Sequence, residues 1–404
     1  MPPTTFTNAR IVLPHAVVTG SVVTDRGVIT AVGDVSAVGT VIDLGGQYLM
    51  PGFVEMHVHG GGGADFMDLT VEAFRTVARC HARHGTTTMT PTSTVGTFEQ
   101  YRRFLEINAE LAGTADGGAR LVGGHLYGPY FLREAKGCHP DAAFLSPEPG
   151  RDAELLAFAG HGLRTLTVAP ELPGALALIR AARERGLLVT AGHTYATFAE
   201  LRAGVEAGVR HVDHLFCAMS DRARLRQSQA FPMRAGVMEA TLAFEELTTE
   251  VIADGHHLDE GLLHFAYKLK GPDRLALVSD TMRAVDRPDG EYWFGAAGSG
   301  ERVRKLGGGG VTLDGKSLAS AVVGLDHAVR LMASYPWADL PSVVRMASLT
   351  PARILGLDAE CGSIAVGKRA DLVVMDAQFN VRGVSVGGVE VYPATTAPPQ
   401  ATSC

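Results

Sequence analysis

The stretch that decides the fold runs from Pro51 to Gly63 and reads Pro-Gly-Phe-Val-Glu-Met-His-Val-His-Gly-Gly-Gly-Gly. It is an apolar run that ends in two histidines one residue apart, followed by glycines. Because residues i and i+2 of an extended strand point to the same face, His57 and His59 would project side by side where a strand enters a loop. Two neutral imidazoles in this geometry suit a divalent metal such as zinc. Surface histidines also form such pairs, so this stretch alone does not establish a metal site.

Length, charge and cysteine content limit the classes of function. The 404 residues carry a net charge of -7, and 46% of them are hydrophobic, which is enough for one large domain and a smaller one. No block of basic residues is present, so we expect a small-molecule substrate rather than nucleic acid or a membrane surface. The five cysteines form no CxxC pair, which argues against a disulfide framework and favours the cytoplasm. We expect neither an export signal nor a membrane anchor.

Both ends of the chain have the same β-rich composition. Residues 6–38 contain short runs of Val, Ile and Thr separated by turn residues, and residues 362–391 repeat this pattern. We therefore predict that residues 1–47 and 357–393 form the two parts of one sheet domain that brackets the middle of the chain. Residues 394–404 are predicted to be a disordered tail.

Between these ends, residues 48–356 alternate between short apolar segments and amphipathic segments. The predicted strands are 48–58, 86–91, 121–126, 163–169, 187–191, 211–216, 250–253 and 275–278. The predicted helices are 71–84, 97–111, 153–160, 175–185, 197–207 and 260–270. Eight units in this order favour a parallel (β/α)8 barrel over an open doubly wound sheet. In such a barrel the chemistry lies at the carboxyl ends of the strands.

That rule selects the polar residues that follow the predicted strands. They are His57, His59, His125, Tyr127, Glu171, His193, His214, Asp254, His256, His257 and Asp280. So many of the 15 histidines at strand ends favour a metal site, although His125, His211 and His256 fit a structural or exposed role equally well. The set that could face one point is His57, His59, His193, His214 and Asp280.

The order of these motifs resembles the amidohydrolase superfamily, and within it the N-acetylglucosamine-6-phosphate deacetylase family. The motifs that carry the resemblance are Pro51 to Gly63, His125-Leu-Tyr-Gly-Pro129, Lys136-Gly-Cys-His-Pro140, Val168-Ala-Pro-Glu171, Gly192-His-Thr194, His214-Leu-Phe-Cys-Ala-Met219, Ile252-Ala-Asp-Gly-His-His257, Leu277-Val-Ser-Asp280 and Asp314-Gly-Lys-Ser-Leu-Ala-Ser320. The resemblance covers nearly the whole chain. It implies an α/β fold, namely a TIM-like barrel with a small β-sandwich formed from both chain ends.

The resemblance also implies a function, a metal-dependent hydrolase that deacetylates an N-acetylated amino sugar or sugar phosphate. It implies that His193 and His214 hold the catalytic metal, and that His57 and His59 offer a further metal position. Asp280 would be the general base and acid. Substrate contacts would come from Cys138, His139, Cys217, Ala218, His257, Leu318, Ala319 and Ser320. A contact of the family across subunits implies a homodimer.

One departure from the family concerns the metal. The family has a glutamate ligand on the third strand where this chain has Tyr127, and a phenol with a pKa near 10 does not replace a carboxylate without a large shift. The favoured replacement is a single metal, most simply zinc, held by His57, His59, His193 and Asp280. His214 would then serve acid-base chemistry, and Tyr127 would be free to bind substrate. Tyr127 could instead ligate the metal as a phenolate, or Glu171 could move in from the fourth strand.

Further departures concern the substrate. Cys217 stands where the family has asparagine, and Asp280-Thr-Met282 replaces an expected Asp-Ala-Thr. Residues 221–236 lack the Arg-Glu-Pro-Gly turn whose arginine reaches phosphate in the family. No motif marks Arg226 or Arg234 as the replacement for that arginine. These changes predict an altered substrate specificity. The competing hypothesis is a non-hydrolytic function, metal-assisted isomerisation, elimination or ring chemistry, or a deamination.

Overall fold

The structure, a computed structural model, describes residues 2–141, 143–228 and 231–392. The predicted tail, residues 394–404, lies outside the described residues. Helices and strands alternate through the middle of the chain. The helices are Val71–Ala82, Phe98–Leu111, Pro149–Leu156, Ala175–Glu184, Phe198–Ala207, Arg222–Arg226, Val237–Ala243, Glu260–Lys270, Leu325–Ser334, Leu340–Ala347 and Leu349–Ile354. In the part of the chain that the structure describes, none of the helices has the length and apolarity needed to cross a membrane.

One sheet is built from both ends of the chain. Its eight strands are Thr4–Leu13, Ala16–Asp25, Val28–Gly33, Thr40–Asp43, Tyr48–Pro51, Leu372–Met375, Val381–Val386 and Val389–Tyr392. Met50 pairs antiparallel with Val373, and this pairing joins the two ends of the chain. Alternate residues of these strands, such as Ile11, Val22 and Leu49, are fully buried and form a core of their own.

The predicted first strand, residues 48–58, is in fact two strands that belong to different sheets. Tyr48–Pro51 lies in the sheet of the chain ends, whereas Phe53–Val58 runs among the parallel strands. The break falls at Gly52, where a Cβ atom would come within 2.1 Å of the Thr87 hydroxyl. The change from one sheet to the other therefore falls at Gly52. Pro51-Gly52 was the available sequence signal, because Pro-Gly pairs interrupt strands.

The second set of strands is parallel throughout. Three strands form one sheet, in the order Arg120–Leu121, Thr86–Pro91 and Phe53–Val58. Six strands form the other sheet, in the order Gly124–Tyr130, Leu163–Val168, Leu188–Ala191, His211–Val212, Thr248–Ile252 and Leu275–Val278. A parallel bridge between Thr92 and His125 links the two sheets. At the other side, the Asp280 N–H donates to the His57 carbonyl at 2.9 Å, so the last strand ends beside the first.

Five of the six predicted helices begin and end within two residues of their predicted bounds, whereas the helix predicted at 153–160 is Pro149–Leu156. Capping residues mark two of the starts. The Thr97 hydroxyl accepts from the Gln100 N–H, and the Gln100 side chain accepts from the Thr97 N–H. Thr197 and Glu200 repeat this capping box in a later β/α unit. The helix Phe98–Leu111 buries an apolar stripe that includes Phe104.

A four-stranded antiparallel sheet follows the last parallel strand, and it was not predicted from the sequence. Its strands are Gly290–Phe294, Glu301–Leu306, Gly309–Thr312 and Leu318–Ala321. The Ala321 N–H donates to the Asp280 carbonyl at 3.0 Å, and the Met282 N–H donates to the Ala321 carbonyl at 3.1 Å. This sheet therefore packs directly beside Asp280.

Candidate metal centre and active site

The five side chains predicted to face one point all lie at the carboxyl ends of the parallel strands. Three of them, His193, His214 and Asp280, have positive φ angles of 47°, 23° and 46°. Each comes two residues after the last residue of its strand. A positive φ is strained for a residue with a side chain, and such strain persists mainly at functional sites. The repeated strain therefore marks this end of the sheet as the functional end.

The first part of the site, which we call the histidine-pair half, contains His57, His59 and Asp280. The His57 Nδ1 donates to Glu250 at 2.5 Å, and the His59 Nδ1 donates to the Thr92 carbonyl at 3.3 Å. Both rings therefore turn Nε2 toward Asp280, whose Oδ1 lies 3.6 Å from Nε2 of His57 and 3.0 Å from Nε2 of His59. Their donor atoms lie within 4.8 Å of one another.

This donor set fits a divalent cation. The His57 Nε2 is buried and has no hydrogen-bond partner among the residues that the structure describes, which is costly unless another group binds it. Burial alone would lower the pKa of His57, but the Glu250 and Asp280 carboxylates raise it to about 10. Burial alone would raise the pKa of Asp280, but His57 and His59 hold it well below its ordinary value. Negative charge that favours a proton also favours a metal ion, and two imidazoles with a carboxylate are zinc ligands.

The second part, which we call the tyrosine half, contains Tyr127, His193 and His214. The His193 Nδ1 donates to the Ala135 carbonyl at 2.7 Å, and the His193 Nε2 lies 3.2 Å from Nε2 of His214. The Tyr127 hydroxyl lies 2.6 Å from the same His214 nitrogen. Burial lowers the pKa of both histidines, so both are neutral at pH 7. In this half, the Tyr127 hydroxyl is hydrogen-bonded to the His214 Nε2, which is the ring nitrogen that would bind a metal.

Tyr127 and Glu171, the other two predicted replacements for the missing glutamate, have other partners in this structure. Burial raises the pKa of Tyr127 well above its ordinary value, and nearby carboxylates add to the effect, which disfavours a phenolate. Glu171 accepts from the Thr194 hydroxyl at 2.5 Å and from the Tyr195 N–H at 2.7 Å. Both of its oxygens are therefore engaged in holding the segment that follows His193.

Glu250 is a site residue that was not predicted from the sequence. It is fully buried on the strand Thr248–Ile252, and its Oε1 accepts from the His57 ring and from the His214 N–H at 3.2 Å. Its Oε2 lies 3.2 Å from the His211 ring. Burial alone would raise its pKa, but His57 and His211 hold it well below the ordinary value. The sequence signal for Glu250 was a single carboxylate inside an otherwise uncharged strand. A carboxylate buried in this way is rare without a partner.

A second buried carboxylate, Glu55, joins the first and last parallel strands. It accepts from the backbone N–H of Ser279 at 3.2 Å and from the backbone N–H of His57 at 3.3 Å. Burial raises its pKa to about 8. Glu55 therefore orders the backbone on both sides of the histidine-pair half.

His139 and Cys138, two of the predicted substrate contacts, lie beside the centre. The His139 ring is buried, with its centroid 5.0 Å from His193 and 5.0 Å from Phe294. Burial and the Asp280 carboxylate raise the pKa of Cys138 to about 12, so its thiol stays protonated. These side chains form one wall of the site.

The predicted contacts Leu318, Ala319 and Ser320 lie on the strand Leu318–Ala321. The Ser320 hydroxyl donates to the Asp280 carbonyl, and Ser320 itself has a φ of 73°. Ala319 is buried, whereas Leu318 is 37% exposed. This strand therefore fixes the Asp280 backbone from the side opposite His57.

Cys217, Ala218 and His257 line the remaining side. Burial and Asp280 raise the pKa of Cys217 to about 12, which excludes a thiolate nucleophile at neutral pH. The Ala218 carbonyl accepts from the Thr194 N–H at 3.2 Å. Burial alone would lower the pKa of His257, but Asp254, 2.7 Å from its Nδ1, raises that pKa. This side therefore carries a histidine that favours the cationic form.

Known proteins of one kind match the chain along most of its length. The Amidohydrolase family model matches residues 48–391. The chain is 32% identical over 349 residues to the N-acetylgalactosamine-6-phosphate deacetylase of Escherichia coli O157:H7, and the match covers 86% of this chain and 89% of that protein. It is 31% identical over 365 residues to the N-acetylglucosamine-6-phosphate deacetylase of Vibrio furnissii, with coverage of 90% and 88%. The crystal structure of N-acetylglucosamine-6-phosphate deacetylase from Pasteurella multocida superposes with a TM-score of 0.88 at 28% identity, covering 96% of this chain and 99% of that chain.

Proposed function

We propose, from the premise that this chain belongs to the amidohydrolase family and to its N-acetylglucosamine-6-phosphate deacetylase branch, that it hydrolyses the acetamide bond of an N-acetylhexosamine 6-phosphate. The observation that carries the proposal is the convergence of His57, His59 and Asp280 at the carboxyl ends of the strands. The products would be acetate and the free amino sugar phosphate. The non-hydrolytic hypothesis is not favoured, because these relatives are deacetylases.

We propose a single divalent metal, zinc by its donor set, in the histidine-pair half. His57, His59 and Asp280 would hold it, and His193 would complete the set from the tyrosine half. The orphaned His57 Nε2 supports this position. The hydrogen bond between the Tyr127 hydroxyl and the His214 Nε2 argues against a second metal. When bound, such an ion supplies Lewis acidity that polarises an amide carbonyl and acidifies a water molecule.

The protein side chains perform the proton transfers. Asp280 is ionised because His57 and His59 stabilise its carboxylate, so it can accept a proton from the attacking water. It would return that proton to the amine nitrogen as the amide bond breaks. His214, oriented by Tyr127, lies on the other side of the centre and would donate a hydrogen bond to the reacting carbonyl oxygen.

The hydroxyl configuration and the phosphate of the substrate are separate questions. The E. coli relative is named for a galactosamine derivative, and the V. furnissii relative for a glucosamine derivative, so both epimers are candidates. His257 supports a phosphate on the substrate, because its contact with Asp254 favours the cationic ring. Cys217 and the changed segment 221–236 support a substrate preference that differs from that of the relatives.

We further propose that the parallel strands close into a (β/α)8 barrel, with residues 52–356 as the barrel domain and residues 1–51 and 357–393 as the β-sandwich. The contact of Asp280 with the His57 carbonyl supports closure. A cytoplasmic location is supported by the four described cysteines, Cys80, Cys138, Cys217 and Cys361, which form no disulfide. A homodimer remains a proposal that rests on the resemblance.

The test is acetate release by the purified full-length protein. N-acetylglucosamine 6-phosphate, N-acetylgalactosamine 6-phosphate and the two unphosphorylated sugars are compared, and the metal content is measured on the same preparation. We expect release from at least one phosphorylated sugar, with about one metal per chain. Asp280→Asn should lower kcat by about 10²- to 10⁴-fold.

His264→Gln is the matched control for loss of a site side chain. His264 stacks on Trp337 at 4.8 Å, outside the metal centre, and its variant should keep full activity. Metal-loaded protein that releases no acetate from any of the four sugars would contradict the deacetylase proposal.

A further inference from the structure

The amino-terminal ends of the parallel strands surround a second concave site, remote from the metal centre. It is a cleft of about 480 Å³. Its walls include the loops that lead into the strands Arg120–Leu121, Leu163–Val168 and Leu188–Ala191, and the segment after the helix Leu349–Ile354. Because the catalytic residues follow the opposite ends of these strands, this cleft is separate from the active site.

The charge of this cleft differs from that of the whole chain. Its lining includes four arginines and one carboxylate, namely Arg120, Arg164, Arg185, Arg369 and Glu360. Arg369 pairs with Glu360 at 2.8 Å and with Asp371 at 3.1 Å. The structure shows no ion pair for the other three arginines among the residues it describes. A chain with a net charge of -7 thus places three arginines without a direct ion pair around one cleft.

Each of these three arginines is held by neutral backbone carbonyls. The Arg164 guanidinium donates to Val122 at 2.5 Å and to Leu355 at 3.0 Å. Arg120 donates to the Gly113 carbonyl at 2.6 Å, and Arg185 donates to the Ala181 carbonyl at 2.8 Å. These hydrogen bonds hold the guanidinium groups in place without cancelling their charge, so an arriving anion meets positioned donors.

Burial makes Arg164 the central member of the cleft. It is half-buried, and this burial lowers its pKa below the ordinary value. A desolvated cation is unfavourable, Glu360 offsets this only in part, and an anion in the cleft would further compensate for the lost hydration. The stabilisation that an anion brings should therefore be larger at Arg164 than at an exposed arginine.

We propose that this arginine cleft, defined by Arg120, Arg164, Arg185 and Arg369, binds the phosphate group of a small phosphorylated molecule or free phosphate. Guanidinium groups match phosphate oxygens with paired N–H donors. Glycines at 113, 123, 160 and 186 line the cleft and let a ligand approach the backbone closely. Among the described residues no Phe, Tyr or Trp lines it, which favours phosphate or a sugar phosphate over a nucleotide whose base would need a stacking partner.

Calorimetric titration of the full-length protein tests the proposal with two probes, inorganic phosphate and glucose 6-phosphate, which has no acetamide to hydrolyse. We expect binding that weakens as sodium chloride is raised. Arg164→Gln should lower the affinity at least about tenfold, because a charge-assisted hydrogen bond is lost. Arg185→Gln, a change at an exposed position, should lower it in the same direction, and it guards against misfolding of the Arg164 variant.

Arg180→Gln is the matched control, since Arg180 is exposed on the helix Ala175–Glu184 and does not line the cleft. It should leave the affinity unchanged. Repeating the titration with His257→Gln removes binding at the active site. Binding that survives His257→Gln and is lost in Arg164→Gln supports the arginine cleft. Equal affinity for both probes shows that phosphate suffices, and tighter binding of the ester shows that the sugar contributes.

Two results would overturn the proposal. One is the absence of binding of either probe to the wild-type protein, and the other is binding that neither Arg164→Gln nor Arg185→Gln weakens. Neither result bears on deacetylation, because acetate release is not measured and the cleft lies at the other end of the strands. The two proposals can therefore fail independently.

Discussion

The two halves of the site use the same residue type in opposite ways. In the histidine-pair half, His57 and His59 are held through Nδ1 and present Nε2 to Asp280. In the tyrosine half, the His214 Nε2 is already engaged by the Tyr127 hydroxyl. The free ring nitrogens of the histidine-pair half thus face a carboxylate, whereas that of His214 faces a competing hydroxyl. A carboxylate in one half and a phenol in the other make the two halves unequal.

The largest expected effect separates the halves by their metal content. His59→Gln should lower the bound metal from about one per chain to near zero and reduce kcat/KM by about 10³-fold or more. His214→Gln should keep the metal and lose activity through kcat, because it acts on the substrate in our proposal. Elemental analysis and steady-state kinetics on the same samples measure both. If His214→Gln loses the metal and His59→Gln retains it, the assignment of the two halves is reversed.

A smaller effect is expected at Glu250, a buried carboxylate that contacts the His57 ring at 2.5 Å. Glu250→Gln keeps the size of the side chain but removes the charge that orients the ring, so metal affinity should fall by about 10- to 100-fold. Competition with a chromogenic chelator gives the affinity without measuring activity. Excess metal in the assay should restore kcat, whereas a lasting loss of kcat at saturating metal would mean that Glu250 acts in the chemistry.

The tyrosine half can be tested by restoring the carboxylate. Tyr127→Glu should raise the metal content from one toward two per chain, because a carboxylate would add an anionic ligand beside His214 and free its Nε2 from the phenol. Tyr127→Phe is the matched control. It should leave the metal content at one and lower kcat only by about 2- to 10-fold, in line with one lost hydrogen bond. A metal content that stays at one in Tyr127→Glu would show that more than the carboxylate separates the halves.

How much of this site could be predicted depends on where each residue lies in its element. The strand-end positions of His57, His193, His214 and Asp280 could be predicted because strand ends can be read from apolar runs and turn residues. Glu250 was missed because it lies inside a strand, and only the three-dimensional pairing with His57 gives it a role. The positive φ angles at His193, His214 and Asp280 leave no sequence signature in non-glycine residues.

The fold shows the same limit. The alternation of strands and helices was predictable, and the helix caps at Thr97 and Thr197 fixed two starts. The change of sheet at Gly52 was missed although Pro51-Gly52 is a turn signal, and the close contact with Thr87 appears only when strands pack. The sheet after Leu275–Val278 was also missed, since a glycine-rich segment has little of the residue alternation that indicates a strand.

The smallest expected effect concerns an ion cluster that supports the histidine-pair half. His84 contacts Asp326 at 2.9 Å and Asp286 at 3.1 Å, and Arg83 contacts Asp286 at 2.8 Å. The cluster ties the segment after Asp280 to the end of the helix Val71–Ala82. Burial alone would lower the pKa of His84, but the two carboxylates raise it to about 9.

The sign of the pH dependence follows from that shift. A histidine whose pKa is raised in the folded state stabilises it fully below its ordinary pKa of about 6.5, and loses this effect as pH rises through about 9. His84→Gln should therefore lower Tm by roughly 2 °C at pH 6 and by less at pH 9.5. Thermal unfolding of both proteins at the two pH values measures the difference. His264→Gln, outside the cluster, should show no such pH-dependent gap, and an equal gap in both variants would mean that the cluster contributes no charge-dependent stability.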